Sequence, residues 1–350
     1  MVNTHQDLLN YFLDEVQLTE EQMDKMRSRR NANRDRLKRE LAKRGKPLPI
    51  RFVAQGSYAM HTMVQANVDS SDIDDGAVFK KDDLKGPNGG AFSALDAKRM
   101  VRDALDDGSF KQPPEVRTNC VRVYYDDGFT VDVPVYREVQ SGGHTYYELA
   151  STDWKESDPE AVTEWFKKNV DAKSPDTVHG RQMRRIVRLL KAWTKSRSTW
   201  NLPSGFVLSI LVNEPYFRNP AWSERDDQAF LAVLTAIHQR VQLNRRVFRP
   251  VPPAEEITKS SDDANMRDLR DRLREGLATL AVLLDPSCDR LKALKAYKSF
   301  FNTDYFDATI AELEKDKKEQ LAATATPYIT VTGAEPKREF IKRGGEGSYA

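Results

Sequence analysis

The chain has 350 residues, with 55 Lys and Arg against 53 Asp and Glu and a formal net charge of +2. That length allows one large two-lobed domain or two domains, and the near-neutral balance excludes a general polyanion binder. No run is apolar and long enough to cross a membrane, and the first residues lack the parts of a signal peptide, so a cytoplasmic, membrane-free monomer is expected.

Thr19, with Gln22 three residues later, forms a capping box, and from it a long helix is expected to run to about Arg44, where Gly45 and Pro47 end it. It is dense in Lys and Arg from Lys25 onward, with Met23, Met26 and Leu37 turned inward. The basic face is read as a solvated brace rather than a duplex track. Pro49 to Gln55 is a short apolar run that reads as a buried strand. Gly56-Ser57 makes the corner into a helix expected over Tyr58 to Ala66. Free N–H groups at such a corner suit phosphate oxygens, although most Gly-Ser pairs are only turns.

Asp72 to Phe79 (DIDDGAVF) reads as a strand. Side chains two apart on a strand share a face, so Asp72 and Asp74 project together while Ile73 and Asp75 point the other way. Two like charges this close stay ionised only with a cation between them, and hard oxygen ligands favour Mg²⁺ or Mn²⁺. The alternative is an acidic turn; a calcium loop fails for want of the downstream glutamate. Gly86 to Gly90 (GPNGG) reads as a mobile surface loop near this site.

Val121 to Tyr125, the turn Asp126-Asp127-Gly128 and Phe129 to Tyr136 form a hairpin signature. Phe129, Val131, Val133 and Val135 alternate as its core face, which leaves Asp132 on the opposite face in mid-strand. An aspartate there is costly unless paired or bound to a metal; the plain alternative is a residue facing solvent. Cys120 and Cys288 read as reduced core thiols, and the five histidines have no zinc spacing.

The remainder reads as helical. One helix begins at Ser157-Asp158-Pro159-Glu160, with Trp165 and Phe166 inward. In the next, Met183, Ile186, Val187, Leu190 and Trp193 make an apolar stripe with Lys191 at its border, from where its ammonium can reach a cleft or simply water. Ser204 follows Pro203 in a first helical turn, where a hydroxyl usually caps. Amphipathic stretches follow over Asp227 to Arg246, Ala264 to Leu284, Asp289 to Phe301 and Thr303 to Lys317, with a loop at Pro250 to Pro253. Residues 321–350 read as a flexible tail.

Taken in order, Gln-Gly-Ser at 55–57, Asp-Ile-Asp-Asp-Gly at 72–76, Val-Asp-Val-Pro at 131–134, Leu-Leu-Lys-Ala-Trp at 189–193 and Leu-Pro-Ser-Gly-Phe at 202–206 resemble the DNA polymerase β-like nucleotidyltransferases. Within them the set looks most like the bacterial CD-NTases, relatives of cyclic GMP–AMP synthase that make cyclic oligonucleotide signals in antiphage defence. The resemblance spans roughly residues 50–216. It implies an α/β (α+β) fold: a segment at 1–48 with a long bracing helix, a catalytic core with a mixed sheet at 49–155, a helical lobe at 156–320 and the tail. It implies that Asp72, Asp74 and Asp132 hold two Mg²⁺ ions (or Mn²⁺). It further implies that Gln55, Gly56, Ser57, Lys191 and Ser204 contact the triphosphate of ATP or another NTP, and that the product is a cyclic di- or trinucleotide. In some operons of the family a ubiquitin-transfer-like enzyme acts on the synthase's C-terminus, here Ala350, and an effector protein answers the product. The same fold would also serve a linear polymerase or a tRNA end-modifying transferase, and a non-catalytic nucleotide or nucleic-acid binding module is the alternative of another class.

Overall fold

The structure is a computed structural model and describes residues 1–65, 72–126 and 128–324. The chain divides into two compact units, Met1–Asp307 and Ala308–Ala350. In the first, eight strands among the described residues form one mixed sheet.

The sheet is organised around β2 (Asp72–Lys80). β1 (Arg51–Gln55) pairs antiparallel to one of its edges. Along the other edge run β5 (Thr130–Val133) and β6 (Val135–Ser141), both parallel to β2 and in one continuing register, Asp74 opposite Asp132 and Ala77 opposite Val135. The single strand expected over Phe129 to Tyr136 is thus interrupted at Pro134, whose carbonyl accepts from the Ala77 N–H at 2.8 Å. Proline has no N–H of its own for the ladder, and the interruption follows. Outside this line, β4 (Val121–Tyr124) pairs with β5, and β3 (Glu115–Val116) pairs with β4. β7 (His144–Ala150) pairs with β6, and β8 (Trp154–Glu156) pairs with β7. The expected hairpin turn includes Asp127, which lies outside the described residues.

The period-2 pattern holds through the centre of the sheet. Ile73, Ala77, Phe79, Phe129, Val131, Val133 and Val135 are buried in one cluster together with α4 (Ala94–Leu105). α2 (Glu20–Lys43) covers the same face, and both halves of its Thr19/Gln22 capping box are present. Met26 and Leu37 are buried in that cluster and Met23 is half-buried against it. Asp75, on this face as expected, is 3% exposed and is gripped by Arg34 of α2, with Nε donating at 2.7 Å and Nη2 at 2.5 Å. Other cations of α2 are also engaged: Arg36 and Arg39 with Asp107, Arg30 with the Tyr58 hydroxyl, and Arg29 over the rings of Tyr125 and Phe129. The helix braces the sheet.

The helices that follow are α5 (Ala161–Lys173), α6 (Gln182–Lys195), α7 (Gly205–Asn213), α8 (Asp226–Leu243), α9 (Ala264–Leu280) and α10 (Arg290–Phe301). Phe166 is fully buried, whereas Trp165 is half-buried. Among the described residues no helix is long and apolar enough to cross a membrane. Cys120 and Cys288 are buried free thiols. α11 (Asp307–Thr324) runs beyond the expected end at Lys317, so residues 321–324 are helical and Ala350 lies outside the described residues.

Two further expectations are corrected. Gly86 to Gly90 sits past Lys80, the opposite end of the nine-residue β2 from Asp72, and so away from the aspartates. The helix expected over Tyr58 to Ala66 is a single turn, α3 (Gly56–Ala59). His61 takes a φ of 54°, and the Thr62 N–H returns to the Ser57 carbonyl at 2.8 Å, which closes the turn instead of extending it. Ala66 lies outside the described residues.

Candidate active site

The face of the sheet opposite α2 carries the aspartates. Parallel register places Asp132 directly beside Asp74, and Thr130 beside Asp72. Directly matched residues on neighbouring strands share a face, so the three carboxylates occupy one side, and the Thr130 hydroxyl donates to Asp72. Burial, reinforced by the charges of Asp132 and Asp72 and opposed by Arg122, pushes the Asp74 carboxyl up to about 7.

Sequence reasoning passed over Arg122. It lies opposite Asp132 in the β4–β5 pair and grips it bidentately, Nε to Oδ1 and Nη2 to Oδ2, both at 2.7 Å, while Nη2 reaches Asp72 Oδ2 at 3.3 Å. The signal was available: counting back from a tight turn at Asp126 to Gly128 sets residue 122 across from residue 132. Among the described residues no three His, Cys, Asp or Glu side chains are gathered so as to hold a metal ion. The donor set nevertheless fits a hard divalent cation: three carboxylates share one face, and the half-buried Asp74 carboxyl is raised to about 7 by desolvation first and by the charges of Asp132 and Asp72 second.

Gly56 adjoins the aspartates more tightly than the sequence implied. Its φ is +61°, and a Cβ there would lie 2.0 Å from Asp74 Oδ2, so only glycine lets the chain turn against that carboxylate. Gln55 uses its amide to tie the walls of the site together, donating to the Tyr136 hydroxyl at 3.0 Å and the Pro159 carbonyl at 2.7 Å. Ser57 lines the same cleft.

From the helical side come Lys191 and Ser204. Lys191 is 4% exposed, and its ammonium donates to the Thr62 hydroxyl at 2.7 Å and carbonyl at 3.1 Å. Burial, with help from the charges of Lys195 and Arg188, lowers its pKa to about 7. The Ser204 hydroxyl accepts from the Val207 N–H at 3.4 Å and caps α7, the ordinary helix-start role, while its side chain still lines the cleft. Gly205 packs against the Lys191 stem, where a Cβ would lie 2.9 Å from Cε. Lys195, one helical turn after Lys191, joins it in the cleft and was missed, although i, i+4 spacing puts both on one face.

These groups line a cleft of about 600 Å³ that also takes in Tyr136, Asp158, Val162, Thr163, Phe206 and Arg249. That volume lies in the range of small-molecule sites, with carboxylates and lysines converging on it. The sheet supplies Asp72 and Asp74, and α6 supplies the two lysines. Seven of the eight site residues expected from the sequence border the cleft; Asp132 does not, and sits beside Asp74, which does.

Residues 50–136 match the family model described as cyclic GMP-AMP synthase DncV-like, nucleotidyltransferase domain. The chain carries a DncV-like nucleotidyltransferase domain. The mixed sheet with its helical lobe is the fold of the DncV-like nucleotidyltransferases. A cyclic GMP-AMP synthase of Escherichia albertii is 27% identical over 256 residues, which cover 71% of this chain and 54% of that protein, so the chain spans about half the length of this curated relative. Among solved structures, Vibrio cholerae DncV with a linear pppApG intermediate superposes with a TM-score of 0.65 at 17% identity, over 85% of this chain and 96% of that one. E. coli MS115-1 CdnC with ATP gives a TM-score of 0.61 at 14% identity, over 85% and 98%. These structural likenesses establish the fold.

Proposed function

We propose that the chain is a cyclic oligonucleotide synthase that converts nucleoside triphosphates, ATP with or without GTP, into a cyclic di- or trinucleotide signal in antiphage defence. The observation that carries this reading is the register of β2 and β5, which sets Asp132 beside Asp74 on the face that already holds Asp72. It is supported by the lysines of α6 facing the same cleft and by the relatives named above.

In each step an acceptor ribose hydroxyl oxygen bonds to the donor α-phosphorus, the bond from that phosphorus to the oxygen bridging the β-phosphate breaks, pyrophosphate leaves with that electron pair, and the hydroxyl proton is released to solvent. Divalent ions, Mg²⁺ or Mn²⁺, bound at Asp72, Asp74 and Asp132 would supply acidification of the hydroxyl and neutralisation of the leaving phosphates. The chain's own groups do the rest. Asp132 faces the acceptor hydroxyl, Lys191 and Lys195 bring positive charge to the donor phosphates, and Gly56 and Ser57 let those phosphates approach the backbone closely. Gln55 holds the strand that carries them against Tyr136 and the start of α5. Repeating the step within the linear product closes the ring.

Incubation of the protein with four labelled NTPs and Mg²⁺, followed by phosphatase treatment and mass spectrometry, tests the proposal. A phosphatase-resistant cyclic product that disappears on Asp132→Asn supports it. A ladder of linear products, or labelled tRNA when tRNA is added, would assign the site to polymerisation. Steep salt-dependent duplex binding without turnover would assign the chain to nucleic-acid binding. On the proposed reading the enzyme works as a cytoplasmic monomer whose operon partners are an effector of the product and an enzyme acting on Ala350.

A further inference from the structure

We infer that Arg122 is the resident counter-ion of the aspartate cluster, a guanidinium that must leave Asp132 before a divalent cation can be held there, so that this residue sets the protein's metal affinity. The inference rests on the reading of Asp72, Asp74 and Asp132 as metal ligands and adds a residue that competes with the metal.

The geometry is that of a cation bridging two strands. Arg122 faces Asp132 across the β4–β5 ladder, and its fork takes both carboxylate oxygens at 2.7 Å. Paired parallel N–H donors are the strongest arrangement a neutral-pH protein can offer a carboxylate. The same Nη2 leans over β5 to Asp72 Oδ2 at 3.3 Å, so one guanidinium spans the two strands whose carboxylates a metal would have to share. Both Asp132 oxygens are so engaged, and among the described residues no three carboxylates are gathered to hold a metal ion.

Arg122 can also move. Its side chain is 27% exposed, against 11% for that of Asp132, so release takes it toward solvent rather than through the core. On its other flank Glu115 is its register partner across the β3–β4 pair. The Glu115 carboxylate is half exposed and accepts from the Tyr124 hydroxyl at 2.7 Å and from Arg117 at 3.0 Å. A row of Glu115, Arg122, Asp132 and Asp74 therefore crosses four strands, with a cation between carboxylates on both sides. A guanidinium displaced from Asp132 has an anion beside it. Occupation of the cluster is then an exchange of one cation for another, and the aspartates do not face one another uncompensated in the metal-free protein.

The test is equilibrium Mn²⁺ binding, read from free Mn²⁺ by electron paramagnetic resonance, on the full chain without nucleotide. Wild type, Arg122→Met, Lys195→Met and Asp74→Ala are compared. Losing one competing charge-assisted fork should tighten Mn²⁺ binding by roughly tenfold or more in Arg122→Met. Lys195→Met, which removes a cation near Asp72 without touching Asp132, should tighten it much less, and Asp74→Ala should abolish it. Equal tightening in the two methionine variants would reduce Arg122 to a general field effect and overturn the inference. Wild-type binding that is lost in Asp74→Ala but unchanged or weaker in Arg122→Met overturns it while the metal-site reading stands. No Mn²⁺ binding in either wild type or Arg122→Met overturns both. If Arg122→Met does not fold, the wild type still decides: the Arg122 Nε–H should exchange slowly with solvent in metal-free protein and quickly once Mg²⁺ is added. Slow exchange under both conditions rejects displacement.

Discussion

Gly56 is the narrowest point of the proposed site. Its φ of +61° and the 2.0 Å separation from Asp74 Oδ2 that any Cβ would have leave little room for accommodation, because the obstacle is a half-buried carboxylate beside Asp132. Gly56→Ala should therefore cost about 1–2 kcal/mol of stability from backbone strain alone and reduce turnover by far more than stability explains, on the order of 100-fold from a displaced aspartate. Thermal melts beside initial rates on the same preparation check this; a fully active alanine variant would remove Gly56 from the site. Asp74 itself should show its environment. With its carboxyl raised to about 7 in the metal-free protein, the folded state holds a proton that the unfolded chain gives up near the ordinary aspartate value. Stability of the metal-free protein should therefore fall as pH rises from about 4 to about 7 on account of this group. In Asp132→Asn the loss of one like charge should move the Asp74 midpoint downward, as read from its carboxyl carbon resonance; an unmoved midpoint would mean that the two carboxylates are not electrostatic neighbours.

The strands show how far alternation carries a reading. In β2 the sequence separates Asp72 and Asp74 from Ile73 and Asp75 by period alone, and the structure places Asp75 under α2 and Asp72 and Asp74 on the cleft side. What alternation could not supply was a partner. Asp75 meets Arg34 only because a helix forty residues earlier crosses that face, and Asp132 meets Arg122 only through hairpin register. Local pattern likewise expected a helix after Ser57, where the structure has one turn. Lys191, from a distant helix, takes the Thr62 carbonyl, and the turn that presents it ends α3. Ser204 was read both as a cap and as a phosphate contact; it caps. Treating α2 as a brace gives a definite expectation. Arg34→Ala leaves Asp75, 3% exposed, without its guanidinium. Removing one partner of a buried pair costs about 3–5 kcal/mol, lowered here because Arg34 is itself a quarter exposed. Arg27→Ala on the same helix breaks only an exposed pair with Asp24, worth at most about 1 kcal/mol. Denaturant midpoints of the two variants should differ clearly; equal midpoints would mean that α2 is not held by Asp75.

Within Met1–Asp307 the cleft is bounded on one side by the sheet and on the other by α5, α6 and α7, and a handful of polar links join the two walls. Gln55 reaches the Pro159 carbonyl, Arg184 of α6 reaches the Met60 carbonyl at 3.1 Å, Lys191 reaches Thr62, and Arg51 pairs with Glu160 at 2.9 Å. Two of these four, from Arg184 and Lys191, end on backbone carbonyls of the segment that follows β1, the segment carrying Gly56 and Ser57. The helical lobe is therefore what fixes the proposed phosphate corner against the aspartates, and a ligand filling the cleft should be felt by both walls at once. A non-hydrolysable ATP analogue with Mg²⁺ binds only the folded arrangement, so it should stabilise the unit by about 2.7 kcal/mol at a hundredfold excess over its Kd. Asp72→Ala combined with Asp74→Ala should abolish most of that gain while the protein stays folded, because the analogue then meets the lysines without the metal-bound phosphates that align it. Differential scanning calorimetry with and without the analogue measures both. If the double variant is stabilised as much as the wild type, the analogue binds away from the carboxylates, and the cleft is not where the triphosphate and the acidic face come together.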